Sequence, residues 1–213
     1  MNTHFLWSTD EQVLYKVEQS NSIEKWHCFD PWDLSWSEST APSSELSKVS
    51  AHQALLHLKG TLRHLPIGVI GPREASQEEL VLAETLGTVL AELDLQLICG
   101  GKNGVMEAVA KGYHEAGGVA IGLLPDEDWR LANNYIGIPI ATGIGRARNA
   151  IIAQACRVLV AIGGGYGTLS EMAYGKQFNK LVLALGSAPQ VPDVIYCDSI
   201  EQVKELISTH WLS

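Results

Sequence analysis

The chain lacks the features that would place it in a membrane or outside the cell. Its 213 residues contain no apolar run of about 18 residues, the length that a membrane-spanning helix needs. No basic segment followed by an apolar one stands at the N-terminus, so no secretory leader is predicted. We therefore expect a cytoplasmic protein with no membrane partner.

Cysteine and histidine are too scattered to form a disulfide framework or a metal site. The four cysteines (Cys28, Cys99, Cys156 and Cys197) form no C-x-x-C pair, and the seven histidines form no H-E-x-x-H motif. Most of these cysteines lie in or beside apolar segments, as reduced core residues do. The pattern predicts free thiols and no metal site held by the protein, and it identifies no certain cofactor.

Positive charge is scarce. The chain has 15 Lys and Arg residues against 24 Asp and Glu residues, which gives a net charge of −9. Binding to nucleic acid relies on clustered basic side chains that neutralise phosphates, so this balance argues against a nucleic-acid partner. The positions of the few cations therefore carry information. Arg73, Lys102, Arg146 and Arg148 all fall at one end of the sheet predicted below.

Residues 61–213 alternate short apolar runs with amphipathic segments. The runs IGVI, LQLIC and RVLVAI, which begin at residues 67, 95 and 157, are apolar almost throughout, as are parallel strands covered on both faces. A helix is predicted from about Gln77 to Glu92, and Ser76 with Glu79 forms a capping box at its start. This order predicts an α/β fold: a Rossmann-like, doubly wound, mainly parallel sheet with helices on both faces and a ligand crevice at the carboxyl ends of its strands.

Residues 1–60 are predicted to form a small β-rich extension. HFLWST and QVLYKV alternate around a turn, which indicates a hairpin, and KWHCFD indicates a third strand. DPWDLSWSESTAPSS is predicted to be a loop, and a helix is predicted from Ser44 to Leu58. Four of the six tryptophans precede residue 37, which favours packing over ligand stacking as the role of these rings.

Four loops are predicted to meet at the crevice: GPR at 71–73, CGGKNG at 99–104, GIGRARN at 143–149 and GGGYGT at 163–168. Glycine-rich turns that lead into helix N-termini let backbone N–H groups approach phosphate oxygens. With cations beside them, these loops predict a small phosphorylated, AMP-like ligand. The predicted binding residues are Gly71, Arg73, Gly100, Gly101, Lys102, Arg146, Gly164, Gly165, Tyr166, Gly167 and Thr168.

Two common phosphate motifs are missing. The sequence has no G-x-x-x-x-G-K-[ST], so no Walker A lysine is available to a triphosphate. The first strand of the main domain is followed by GPREAS and not by G-x-G-x-x-G, the fingerprint of dinucleotide sites. A mononucleotide or another monophosphate fits better.

The charged candidates each have a structural alternative. Glu171 either completes a T-x-x-E capping box with Thr168 or is a site carboxylate. Arg148 is either a surface or ion-paired arginine or a residue that pins an anion with its planar guanidinium. Arg73 is either a turn residue or a phosphate ligand. Lys102 is either an exposed polar residue of an ordinary loop or part of the phosphate-binding loop.

One motif resembles a known family. IGGGYGTLSE, residues 162–171, resembles the PGGxGTxxE motif of the LOG-type (Lonely Guy) nucleotide-binding proteins, with Gly163 in place of proline. Arg148 falls where that family carries its active-site arginine. Asn149 follows it, where the cytokinin-activating enzymes have lysine, and this departure resembles a sister branch that includes the molybdenum-cofactor carrier proteins. The resemblance extends from about Pro66 to Cys197.

The resemblance implies roles that the residues alone do not. In an enzyme of the LOG type, Arg148 and Glu171 would be catalytic, and Glu171 would act at the ribose as a nucleoside 5′-monophosphate is hydrolysed to free base and ribose 5-phosphate. In a carrier, the same loops would hold the molybdenum cofactor, whose pterin also ends in a monophosphate. A third hypothesis is a vestigial site beside a partner-binding N-terminal segment. The family also implies a homodimer or tetramer.

Overall fold

The computed structural model describes residues 5–20 and 23–213, and the chain divides into two compact units. The first comprises the residues up to Arg63 together with Lys204–Ser213, and the second comprises His64–Val203. The predicted division after residue 60 falls close to Arg63. No pattern in the sequence predicted that Lys204–Ser213 would belong to the first unit.

The first unit contains a five-stranded antiparallel sheet in the order β4-β3-β2-β1-β5. Alternating apolar residues on β1 and β2 bury Phe5, Trp7 and Leu14. The Trp36 indole Nε1 donates to the carbonyl of Leu212 at 2.8 Å, which ties the C-terminal segment to this unit. The elements are β1 Phe5–Ser8, β2 Val13–Ser20, β3 Ile23–Asp30, β4 Ser35–Ser39, β5 Leu46–Val49 and helix α1 Ala51–His57.

The predicted hairpin and third strand are present, although His4 of the first predicted strand lies outside the described residues. Two other predictions for this unit were wrong. The predicted loop contains β4, which pairs with β3, and the predicted helix from Ser44 begins only at Ala51. The preceding segment forms β5 because β1 offers it a free edge, and a capping box between Ser50 and Gln53 fixes the true helix start.

The second unit is built on a seven-stranded parallel sheet in the order β12-β11-β10-β6-β7-β8-β9. Every residue of β6 and β10 is buried, because helices cover both faces of the sheet. The strands are β6 Ile67–Ile70, β7 Leu97–Cys99, β8 Ala120–Leu124, β9 Ile136–Ala141, β10 Val158–Ile162, β11 Leu181–Leu185 and β12 Ile195–Tyr196.

The helices alternate with these strands, as the sequence predicts, and the helix at Gln77–Glu92 has the predicted bounds. They are α2 Gln77–Glu92, α3 Val105–Glu115, α4 Arg148–Ala155, α5 Tyr166–Gln177 and α6 Ile200–Trp211, and two 3-10 turns lie at Trp129–Leu131 and Gly145–Ala147. The predicted capping box of α2 is present. The Rossmann-like architecture with a small β extension is therefore confirmed.

The strand order reverses at β6, and this reversal identifies one end of the sheet as the expected place for a ligand. From β6 the chain adds strands on one side through β9, then returns to place β10 on the other side of β6. In open α/β sheets, ligands bind beyond the carboxyl ends of the strands where the order reverses in this way.

None of the helices within residues 5–20 and 23–213 is both long and apolar enough to cross a bilayer.

Candidate functional site

A cavity of about 410 Å³ lies at the carboxyl ends of β6, β7 and β10. Three of the four predicted loops contribute to it through their glycines, and the loop before α4 contributes its arginines. The predicted residues that line the cavity are Gly71, Arg73, Gly100, Arg146, Arg148, Gly165, Gly167, Thr168 and Glu171. Residues far apart in sequence are thus brought to one place.

Some predicted residues lie outside this cavity. Lys102 Nζ lies 2.8 Å from Asp126 Oδ2 and 2.8 Å from the carbonyl oxygen of Leu131. Its ammonium group therefore forms an ion pair with Asp126 outside the cavity. The Tyr166 side chain is 93% exposed. Gly101 and Gly164 shape the turns after β7 and β10, both with positive φ, but do not line the cavity.

A buried ion pair forms the floor of the site. Arg148 Nη1 lies 3.0 Å from Glu171 Oε1, and each side chain is only 8% exposed. The same Nη1 donates to Asn149 Oδ1 at 2.6 Å. Among the residues that the structure describes, the Arg148 Nε has no hydrogen-bond partner, although it is buried. An unpaired buried N–H is costly, so this donor calls for an acceptor that the described residues do not supply.

The proposed capping role of Glu171 is wrong. Helix α5 begins at Tyr166, with Gly165 as its N-cap, so Thr168 already lies inside the first turn. Glu171 is therefore one turn further along the helix, where its carboxylate meets Arg148. The ion-pair alternative for Arg148 is correct, and the pair itself lines the cavity.

The pKa of Glu171 is shifted toward neutrality. Burial raises the pKa of its carboxyl from 4.5 to about 7, although the charge and hydrogen bond of Arg148 act in the opposite direction. A carboxyl that titrates near neutral pH can both hold and release a proton, which is the property required of a general acid or base.

Three helix N-termini at this end of the sheet have no side-chain cap. Within residues 64–203, all of which the structure describes, no side chain caps α3, α4 or α5, whose N-cap residues are Gly104, Ala147 and Gly165, whereas Ser76 caps α2. Each of the three contributes residues to the cavity. The Val105 N–H at the start of α3 donates to the Pro72 carbonyl, and the Arg148 N–H at the start of α4 is bonded within the preceding 3-10 turn. The uncapped start of α5 is therefore the N-terminus best suited to an anion.

Gly100 makes room for the arginine. A Cβ at this position would collide with the Arg148 guanidinium and with the Met106 sulfur. The glycine after β7 therefore lets a buried guanidinium pack against the strand end, a role different from the phosphate contact that the sequence predicted.

Gly163 is also a position where a neighbouring side chain leaves no room for a Cβ. Its φ is +58°, which proline cannot adopt, and a Cβ there would overlap the Glu79 carboxylate. That carboxylate accepts from the Ser187 hydroxyl at 2.6 Å and from the Ser76 backbone N–H at 2.9 Å. The glycine loop therefore rests on a buried glutamate, which accounts for glycine where the LOG-type motif has proline.

Several cavity residues were not predicted. Ile70, Pro72 and Met106 supply apolar wall, and Asn149 lies beside Arg148. The sequence signal that points to Asn149 is its departure from the LOG-type pattern, in which lysine follows the arginine. No sequence signal distinguished Met106 from an ordinary helix residue.

The fold and the loop after β10 together define the class of protein. A parallel sheet whose order reverses between β6 and β10, with a glycine loop leading from β10 into α5, is a Rossmann-like fold with a LOG-type loop. Residues 64–210 match the SLOG cluster4 family, and the chain belongs to that family. The resemblance to the LOG-type proteins is confirmed.

Two kinds of relative are similar to this chain. The molybdenum cofactor binding protein of Rippkaea orientalis is 34% identical, with a TM-score of 0.65, over 69% of this chain and 97% of that one. The molybdenum cofactor carrier protein of Chlamydomonas reinhardtii is 32% identical, with a TM-score of 0.63, over 70% and 99%. A probable cytokinin riboside 5′-monophosphate phosphoribohydrolase of Oryza sativa subsp. japonica is 34% identical over 95 residues, which is 43% of this chain and 39% of the enzyme.

Proposed function

We propose that the protein binds a small phosphate monoester that carries a planar ring, and that holding this ligand is its main function. One observation supports this above the others: three arginines and the uncapped N-terminus of α5 line a single cavity in a chain of net charge −9. Its volume of about 410 Å³ lies in the range of small-molecule sites.

The monoester would bind at the N-terminus of α5. Backbone N–H groups of Gly167 and Thr168 would donate to the phosphate, and Arg146 would add charge at the exposed rim. The buried Nε of Arg148 would donate to a further acceptor. Met106 and Ile70 offer apolar surface to a ring.

The molybdenum cofactor is our first candidate ligand. The carrier and binding proteins of Chlamydomonas and Rippkaea match this chain over nearly their whole length, whereas the chain spans well under half of the rice enzyme. The pterin of that cofactor contains a flat pyrimidine ring, and the cofactor ends in a phosphate monoester, the two features that the cavity residues suit.

Hydrolysis of a nucleoside 5′-monophosphate is the second candidate. The observation in its favour is the Glu171 carboxyl, buried beside an arginine and titrating near neutral pH. Cleavage of an N-glycosidic bond develops positive charge on the sugar, which an adjacent carboxylate stabilises.

Calorimetry and a product assay distinguish these functions. AMP and molybdopterin are titrated into the protein, and free base is measured after incubation with AMP and with isopentenyladenosine monophosphate. Binding without release of base supports a carrier, and release of base supports the hydrolase. Failure to bind either ligand would contradict both.

A matched pair of variants ties binding to the cavity. Arg148→Lys keeps the charge but loses the planar fork of donors, and we expect AMP affinity to fall about tenfold or more. Arg130→Lys is the control, because Arg130 is exposed and does not line the cavity. Equal losses in the two variants would disconnect the binding from Arg148.

We also expect the protein to form a homodimer or tetramer. The edge strand β9 exposes Ile138 and Ile140, which are 45% and 43% accessible, and Ile144 and Ile151 are also exposed. Exposed aliphatic residues on an open strand edge favour association. Light scattering should give a mass above 23.1 kDa, and Ile140→Lys should lower it toward that of the monomer.

A further inference from the structure

Asn149 links the two helices that contribute the ion pair. Its Oδ1 accepts from Arg148 Nη1 at 2.6 Å, and its Nδ2 lies 3.4 Å from the Ser170 hydroxyl. That hydroxyl in turn donates to the carbonyl of Gly167 at 2.7 Å. A continuous chain of hydrogen bonds therefore runs from the start of α4 to the first turn of α5, along the wall of the cavity.

The effect on Arg148 follows from the shape of its guanidinium. The group is planar and rigid, so two acceptors on one nitrogen fix the orientation of all five N–H bonds. Glu171 and Asn149 both accept from Nη1, and Gly100 leaves the space in which the plane lies. The buried Nε, which lacks a partner within the described part of the chain, is thereby held in one direction.

We propose that Asn149 is a positioning residue: it fixes the guanidinium of Arg148 so that its remaining donors face the bound phosphate monoester. This inference rests on the proposed binding function. The amide of Asn149 is neutral. It therefore accepts the hydrogen bond from Arg148 without lowering the positive potential of the cavity. An aspartate could accept the same bond, but its charge would oppose an anionic ligand.

The test uses three variants of the full chain. Asn149→Ala removes the acceptor, Asn149→Asp keeps it with a negative charge, and Asn134→Ala is the control, at an exposed asparagine outside the cavity. AMP affinity is measured by calorimetry. We expect Asn149→Ala to weaken binding about tenfold, Asn149→Asp to weaken it at least as much, and Asn134→Ala to have no effect.

A second measurement needs no ligand. In ¹⁵N-labelled protein, the Arg148 guanidinium should show slow rotation and slow exchange of its Nε–H with solvent. Asn149→Ala should abolish the slow rotation, and Asn149→Asp should restore it because the acceptor returns. Loss of a merely structural contact would change thermal stability without this pattern of loss and restoration.

The outcomes separate the two proposals. If the unmodified protein binds AMP, and Asn149→Ala binds equally well with an unchanged Arg148 spectrum, the positioning role is refuted while the binding function stands. If the unmodified protein binds neither AMP nor molybdopterin, the binding function fails. The ligand-free spectra then still decide whether Asn149 fixes the guanidinium.

Discussion

The protonation of Glu171 gives the sharpest test of the site, through the substitution Glu171→Gln. Glutamine keeps the shape and an oxygen that can accept from Arg148, but it does not titrate. In the folded protein, burial raises the pKa of the Glu171 carboxyl to about 7, against an ordinary value of 4.5. The folded state therefore binds a proton that the unfolded state releases between these two values.

The sign and size of the effect follow from proton linkage. A raised pKa favours folding below pH 4.5, and this contribution is lost as the pH rises through 7. Relative to Glu171→Gln, the free energy of unfolding of the unmodified protein should fall by roughly 2–3 kcal/mol between about pH 5 and pH 8.

Urea denaturation followed by far-UV circular dichroism, at both pH values, measures this difference. Glu78→Gln is the control, since Glu78 is an exposed carboxylate in the first turn of α2. Its curves should stay parallel to those of the unmodified protein. If the Glu171→Gln difference is flat, or if the unmodified protein gains stability with rising pH, then Arg148 and not burial sets the pKa. The general acid or base interpretation of Glu171 would then lose its basis.

Three further predictions concern the same end of the sheet. AMP affinity should rise severalfold as the pH falls from about 8 to about 6.5, because protonation of Glu171 removes a negative charge from the cavity, and Glu171→Gln should show no such dependence by calorimetry. Gly163→Ala should lower the free energy of unfolding by about 2 kcal/mol or more, since it adds strain at φ +58° and overlaps Glu79, while Gly167→Ala, with open space at its Cβ, should not. Burial raises the pKa of Glu79, but hydrogen bonds from Ser187 and Ser76 outweigh it and hold that pKa below 4.5. The stability that Glu79 contributes should therefore be lost as the pH falls below that value, and acid unfolding of Glu79→Gln should show a shallower pH dependence.

Much of the second unit could be predicted from sequence because its signals are local. The buried parallel strands are unbroken apolar runs, and α2 carries its capping box within four residues of sequence. The convergence of the loops followed from the alternation of strand and helix alone, since parallel strands end at one edge of their sheet.

The errors arose where a distant partner decides the local structure. Leu46–Val49 has a helix-compatible sequence and becomes a strand only because β1 lies beside it. Lys102 follows a glycine turn, as a phosphate ligand would, but Asp126 pairs with it from the loop after β8. Such contacts join residues far apart in sequence, so no local pattern reports them.

Carriage and hydrolysis make different demands on the Arg148–Glu171 pair. A carboxylate that acts on a sugar must be free to approach it, whereas Glu171 is buried and bonded to a guanidinium that Asn149 also holds. Breaking the pair on each turnover would leave a buried charge without its partner, at a cost of about 3–5 kcal/mol. A ligand that binds without breaking the Arg148–Glu171 ion pair avoids this cost. This asymmetry is the physical reason to place binding ahead of hydrolysis. A ligand complex in which the 3.0 Å contact between Nη1 and Oε1 persists would agree with it, and a complex in which Glu171 has turned to a ribose would reverse the order.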